Sequence, residues 1–118
     1  MGQDVWFETG EGPRLAPPLI DAVWQGLERA PQILGPIYDT VRKTRAALGP
    51  ETTMLGFAGS PWIVATYMVA GQGSKDQHDT RALAYRDPGA FGTLIAAIEE
   101  MTLAYLVGQI DAGVEAVQ

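Results

Sequence analysis

Few residues of this chain have the type and setting for chemistry, and Tyr67 leads them. It lies in the otherwise apolar run 62–70, directly after Gly59-Ser60-Pro61. A phenol in such surroundings can donate one hydrogen bond inside a dry pocket, or serve as a core tyrosine whose hydroxyl is satisfied by a neighbour. The other candidates read more simply as structure. His78 stands beside Asp76 and Asp79, but a metal site needs three or four converging ligands, so no metal is expected. Gly71-Gln72-Gly73-Ser74-Lys75 lacks the spacing of a phosphate loop and follows a helical run rather than a strand. Glu99 and Glu100 are adjacent, so on a helix their side chains diverge by about 100° and suit a solvated face. Arg42, Lys43 and Arg45 read as a solvated helix end rather than a phosphate or nucleic-acid patch. There is no Gly-x-Ser-x-Gly elbow, and with no Cys there is no thiol nucleophile, disulfide or thiolate metal site.

Positioning Tyr67 falls to a strand, a turn and a helix. Residues 54–58 predict a buried strand, and Gly59-Ser60-Pro61 turns the chain, with Ser60 as N-cap and Pro61 at the first helical position. The helix that follows is apolar on nearly every side, so it should be buried. In βα proteins the end of the strand and the start of the helix face the active site. Upstream, residues 5–9 predict a short strand and Gly10-Glu11-Gly12-Pro13 the turn after it. Leu19, Ile20, Val23, Trp24 and Leu27 then predict a short helix. A second helix runs from Gln32 or Pro36 to Leu48, with Ile33, Leu34, Ile37, Tyr38, Val41 and Leu48 facing inward and Gly49-Pro50 as its stop. Residues 75–86 predict a short helix, and Asp87-Pro88 opens a long one. On it Phe91, Leu94, Ile95, Ile98, Met101, Tyr105 and Ile110 keep a period near 3.5, up to Gly113 as a left-handed cap. Residues 114–118 begin a further strand. The fold class is therefore α/β, rich in helix with two or three short strands, and expected to be one segment of a larger α/β domain.

Composition narrows the function classes. The chain has 118 residues, 47% of them apolar, with 8 Lys+Arg against 14 Asp+Glu for a net charge of −6. Such a chain can fill a core, and its acidity argues against nucleic acid or an anionic membrane as partner. Residues 52–74 carry no charge, but Gly56, Gly59-Ser60-Pro61 and Gly71-Gln72-Gly73-Ser74 cut the run, so it reads as a strand and a helix rather than a membrane span. The start of the chain does not read as a targeting signal.

Gly56-Phe57-Ala58-Gly59-Ser60-Pro61-Trp62, Thr66-Tyr67-Met68-Val69 and Gly71-Gln72-Gly73-Ser74-Lys75 closely resemble the signature segment of the uroporphyrinogen decarboxylase family. Gly10-Glu11-Gly12-Pro13 is similar to that family's glycine-proline hairpin. Ala104-Tyr105-Leu106, Gln109-Ile110 and Ala112-Gly113 to Ala116-Val117-Gln118 are similar to its long helix and following strand. The resemblance covers essentially the whole chain. It implies a partial (β/α)₈ TIM barrel, from a cytoplasmic and usually homodimeric enzyme of haem and tetrapyrrole synthesis. It implies decarboxylation of the four acetate groups of uroporphyrinogen III to coproporphyrinogen III, with no metal or organic cofactor. By motif position the substrate-binding residues are Tyr67, Phe57 and Gly59.

The family's Arg-Gln-Ala-Gly-Arg-Tyr loop and its Phe-Ser-Asp aspartate would precede this segment, and its later serine and histidine would follow Gln118. The isolated chain is accordingly expected to be inactive and to self-associate through surfaces that the rest of a barrel would cover. The alternatives are a non-catalytic helical interaction module, or a segment of a corrinoid-dependent methyltransferase barrel. The latter would want His and Cys metal ligands, which this sequence scarcely offers.

Overall fold

The computed structural model describes residues 4–10, 12–16 and 33–118. Its elements run in the order β1 (Asp4–Glu8), β2 (Gly12–Ala16), α1 (Gly35–Ala47), β3 (Leu55–Gly56), α2 (Pro61–Ala70), α3 (His78–Arg86), α4 (Pro88–Asp111) and β4 (Ala116–Val117). The helix expected around Leu19 to Leu27 lies outside the described residues.

The local signals set most of these boundaries. The Ser60 hydroxyl accepts from the Ile63 amide, Pro61 takes the first turn, and Gly71 ends α2 in the left-handed region at φ 70°. The Asp87 carboxylate accepts from the Ala90 amide at 2.9 Å, with Pro88 next, and α4 runs 24 residues until Gly113 turns the chain at φ 113°. Helix α3 begins at His78 rather than at residue 75. Ser74 and Asp76 capture the amides of Gln77 and His78, and such side-chain bonds hold the backbone in a turn.

The core is the seam between α2 and α4. Ala65, Met68 and Val69 pack on Leu94 and Ile98, with Val64, Leu83, Phe91 and Ile95 around them. A smaller cluster of Val41, Ala112 and Val114, flanked by Tyr38 and Met54, docks α1 near the end of α4. Neither helix is covered all round. Ile63 on α2 and Leu103, Val107 and Ile110 on α4 are exposed, as are Ile33 and Ile37 in the stripe expected to face inward at α1. The described elements cover only one side of each helix, and apolar residues are buried only where the fold supplies a neighbour. By length and mean hydropathy (1.5) α4 would also pass as a bilayer span. Glu99 and Glu100 stand at mid-helix, and Leu94 and Ile98 are fully buried against α2, while 11% of that apolar stretch is buried in all.

Among the described residues four short strands form two separate pairs. Strands β1 and β2 make an antiparallel hairpin, with Phe7 opposite Pro13. The residue pattern alone shows only a turn here, because Gly-Pro-Arg-Leu-Ala neither alternates nor favours a strand. Proline is tolerated because it lies at an edge. Strands β3 and β4 pair in parallel, Leu55 with Ala116 and Gly56 with Val117. All three helices α2 to α4 lie within that crossover, as parallel strands require a long connection.

Residues 54–58 are not the buried strand their composition suggests. Only 55–56 are strand, Gly56 is buried, and Leu55 is 63% and Phe57 72% exposed. The cause is the period of two. Met54 and Gly56 turn toward Gln109 and Val114, while Leu55 and Phe57 turn to a face that no described element covers.

Candidate functional site

The exit of β3 is where sequence and structure converge. Phe57 stands there with its ring largely in solvent, and Gly59 is exposed two residues on. A Cβ on Gly59 would stand 3.1 Å from Val64 Cγ2, so the turn lies close against the first turn of α2. Tyr67 is half-buried on α2. Its hydroxyl lies 3.2 Å from where a Cβ on Gly73 would be, so the loop after α2 passes directly over the phenol because residue 73 has no side chain. The structure thus places Phe57 and Gly59 together at the strand exit and Tyr67 under the 71–77 loop. No described residue accepts a hydrogen bond from the Tyr67 hydroxyl.

Two further elements converge on that loop. The hairpin docks on it, with the Leu15 amide donating to the Gly71 carbonyl at 2.8 Å and Arg14 bridging Gln72. Arg14 also pairs with Glu8 across the hairpin at 3.6 Å. On the other side, the Trp62 indole donates to Gln77 Oε1 at 2.7 Å and packs edge-on against Phe91, centroids 5.6 Å apart. Gln77 is held at φ 55°, a conformation that costs a non-glycine residue about 1–2 kcal/mol. The Trp62 bond, with the Gln77 amide donating to Ser74 Oγ, keeps it there. The Ser74 hydroxyl in turn donates to Asp76, which, together with the His78 amide, holds the Asp76 carboxyl below its usual range.

Two residues to which the residue pattern alone gave no role hold the two ends of β3. Gln109, 4% exposed, donates from Nε2 to the Phe57 carbonyl at 3.0 Å and accepts the Phe57 amide at Oε1 at 3.1 Å. Glu115 accepts the Met54 amide at 2.9 Å while its other oxygen faces Arg45 at 3.7 Å. A glutamine amid helical apolar residues carries no periodic signal, so Gln109 was legible only as part of the family resemblance. The basic trio divides on inspection: Arg42 pairs with Asp39, Arg45 reaches the Thr52 carbonyl and Glu115, and Lys43 is exposed.

His78 lines an open groove of about 350 Å³ along α3, with Asp76, Arg81, Ala82 and Tyr85, which includes none of Phe57, Gly59 or Tyr67. Among the described residues no three His, Asp or Glu side chains are grouped to hold a metal ion.

The family model for uroporphyrinogen decarboxylase (URO-D) matches residues 1–118. Curated relatives include uroporphyrinogen decarboxylases of Sphingopyxis alaskensis and Novosphingobium aromaticivorans, each 63% identical over the whole chain, and of Brucella anthropi, 46% identical. The chain covers 34% of the first of these and 35% of the other two, about a third of the length of the curated relatives it matches. With its whole length matched, the chain belongs to the uroporphyrinogen decarboxylase family.

Proposed function

We propose that this chain supplies one part of the substrate cleft of a uroporphyrinogen decarboxylase, in a (β/α)₈ barrel whose other strands come from sequence flanking this segment. The observation that carries the reading is 63% identity over all 118 residues to decarboxylases of that name. The crossover from β3 to β4 through three helices supports it, since consecutive parallel strands joined by helices are the unit of such a barrel. The uncovered apolar face at Leu55 and Phe57 supports it as well. Phe57, Gly59 and Tyr67 line the cleft, and Tyr67 presents its hydroxyl to the macrocycle. The relatives' shared name gives no support to a methyltransferase or a purely structural module.

The reaction replaces the carboxylate of each acetate group by hydrogen. A proton adds to the pyrrole carbon next to the substituted one, and the ring becomes a cation. The bond to the carboxylate breaks, carbon dioxide leaves, and its electron pair neutralises the ring. The exocyclic methylene left behind takes a proton to become methyl, and the proton first added to the ring is lost. The substrate is its own electron sink, so no cofactor is required. The cleft contributes fixed dipoles and exclusion of water, which favour the cation electrostatically. The substrate's carboxylates need cations outside this acidic segment, arginine being suited by its planar fork. The full enzyme acts in the cytoplasm in haem synthesis and pairs with a second copy.

The purified 118-residue chain is therefore expected to form no coproporphyrinogen. The same segment, exchanged for its counterpart in the full-length Sphingopyxis alaskensis decarboxylase, is expected to restore turnover of uroporphyrinogen III. An inactive but folded chimera would defeat the reading. In the chimera, Tyr67→Phe should lower kcat/KM by about tenfold, the loss of one buried hydrogen bond, measured by HPLC of the oxidised porphyrin products. An unchanged value would remove Tyr67 from the cleft.

A further inference from the structure

A strand in a parallel sheet sends successive residues to alternate edges. At β3 the even residues serve β4: the Glu115 amide donates to the Met54 carbonyl, the Gln118 amide to the Gly56 carbonyl, and the Ala58 amide to the Gln118 carbonyl. Phe57 sends its amide and carbonyl to the opposite edge, where both meet the carboxamide of Gln109, at 3.1 and 3.0 Å. A carboxamide has the donor and acceptor of one peptide unit, so Gln109 stands where the peptide of a neighbouring strand would pair. It reaches that place because residue 56 is glycine. A Cβ there would lie 2.7 Å from Gln109 Oε1 and 3.1 Å from Val114 Cγ2.

We infer that Gln109 is a positioning residue for the cleft. Its side chain acts as a one-residue strand that closes the edge of β3 at Phe57 and fixes the direction in which the Phe57–Ser60 turn leaves the sheet. A strand joining that edge must end or diverge at Phe57. The clamp is buried while the Phe57 ring is in solvent, so the two ends of one residue are set differently, the backbone rigid and the ring free to meet a ligand. This rests on the proposed decarboxylase reading only for its effect on turnover; the clamp itself does not.

The test has two arms. In the 118-residue chain, hydrogen exchange of the Phe57 amide should quicken at least tenfold in Gln109→Ala, while the Ala58 amide, bonded to Gln118, stays protected. Equal exchange of Phe57 in both proteins overturns the clamp. In the full-length Sphingopyxis alaskensis decarboxylase carrying this segment, Gln109→Ala should raise the KM for uroporphyrinogen about tenfold. A merely structural loss would remove active molecules and lower kcat at constant KM, and that result overturns the positioning role. Gln109→Glu retains the acceptor for the Phe57 amide but sets a second oxygen against the Phe57 carbonyl. Its KM should therefore rise as in Gln109→Ala, and a KM equal to the parent's counts against the clamp. If the parent chimera is inactive, the decarboxylase reading fails, and the exchange arm still decides the clamp.

Discussion

Leu94→Ala should abolish the cooperative thermal transition of the 118-residue chain or lower its midpoint by about 10 °C or more. Leu94 is fully buried in the seam where α4 meets Ala65, Met68 and Val69 of α2. Removing three of its carbons there costs about 2–5 kcal/mol, because helix backbones on both sides keep the cavity from collapsing. Folded proteins have roughly 5–15 kcal/mol of stability in all, and this segment has few buried side chains to draw on, among which Leu94 is one of the largest. The matched control is Leu103→Ala, a residue of the same type on the same helix that is 63% exposed. It should move the midpoint by no more than a few degrees. Circular dichroism at 222 nm on both variants decides the matter, and equal shifts would show that the α2–α4 seam is not the core.

Gly108→Ala should undock α1, an effect opposite in sign to the usual one for that substitution. In a helix interior alanine is favoured over glycine by about 0.5–1 kcal/mol. At Gly108, however, an added Cβ would fall on the ring of Tyr38, against Cζ and within 2.6 Å of both the hydroxyl oxygen and Cε1. To make room the half-buried ring must swing away from α4 and give up the contacts that hold it there. It lies 6.2 Å, centroid to centroid, from Tyr105, and its hydroxyl faces the Ala104 carbonyl. Burial, with Tyr105 adding to it, pushes that hydroxyl above its usual range. Overpacking of this kind costs about 1–3 kcal/mol, so the clash exceeds the helix gain. The sign should reverse once the ring is gone: in a Tyr38→Ala background, Gly108→Ala should stabilise by about 0.5–1 kcal/mol. Urea denaturation of the four proteins in this cycle measures it, and additivity would mean that Tyr38 does not rest on Gly108.

Residues 60–71 and 87–113 show how far the sequence alone reaches. A serine before a proline, an aspartate before a proline and two late glycines each act within one turn of chain, so the ends of α2 and α4 could be read without neighbours. Leu94 and Ile98 were legible as core for the same reason, a period kept over many turns. What escaped depends on the third dimension. Ile110 and Ile37 follow the same periodicity as Leu94 and stand exposed, because hydrophobic spacing says which face would be buried but not whether an element arrives to bury it. Strand β2 escaped the residue pattern, and only the family's glycine-proline hairpin pointed to it, because its partner, β1, supplies the order its own residues do not. At the site, the strand exit and Tyr67 were visible from the strand-turn-helix pattern and the family motif. Gln109 was not visible as a clamp, since its two bonds join positions 52 residues apart.

The same separation bears on time. Met54 and Glu115, which join β3 to the residue before β4, lie 61 residues apart. At about 5–20 residues per second of synthesis, β3 leaves the ribosome roughly 3–12 s before its partner strand exists. During that interval the edge that will meet β4 is unpaired, and a helix such as α2 forms in about a microsecond. Early protection of the nascent segment then falls to α2, whose packing surface on α4 is completed only once Leu94 and Ile98 have emerged. The sheet in this part of the chain is a late product of its helices, and translation speed sets how long the strand waits.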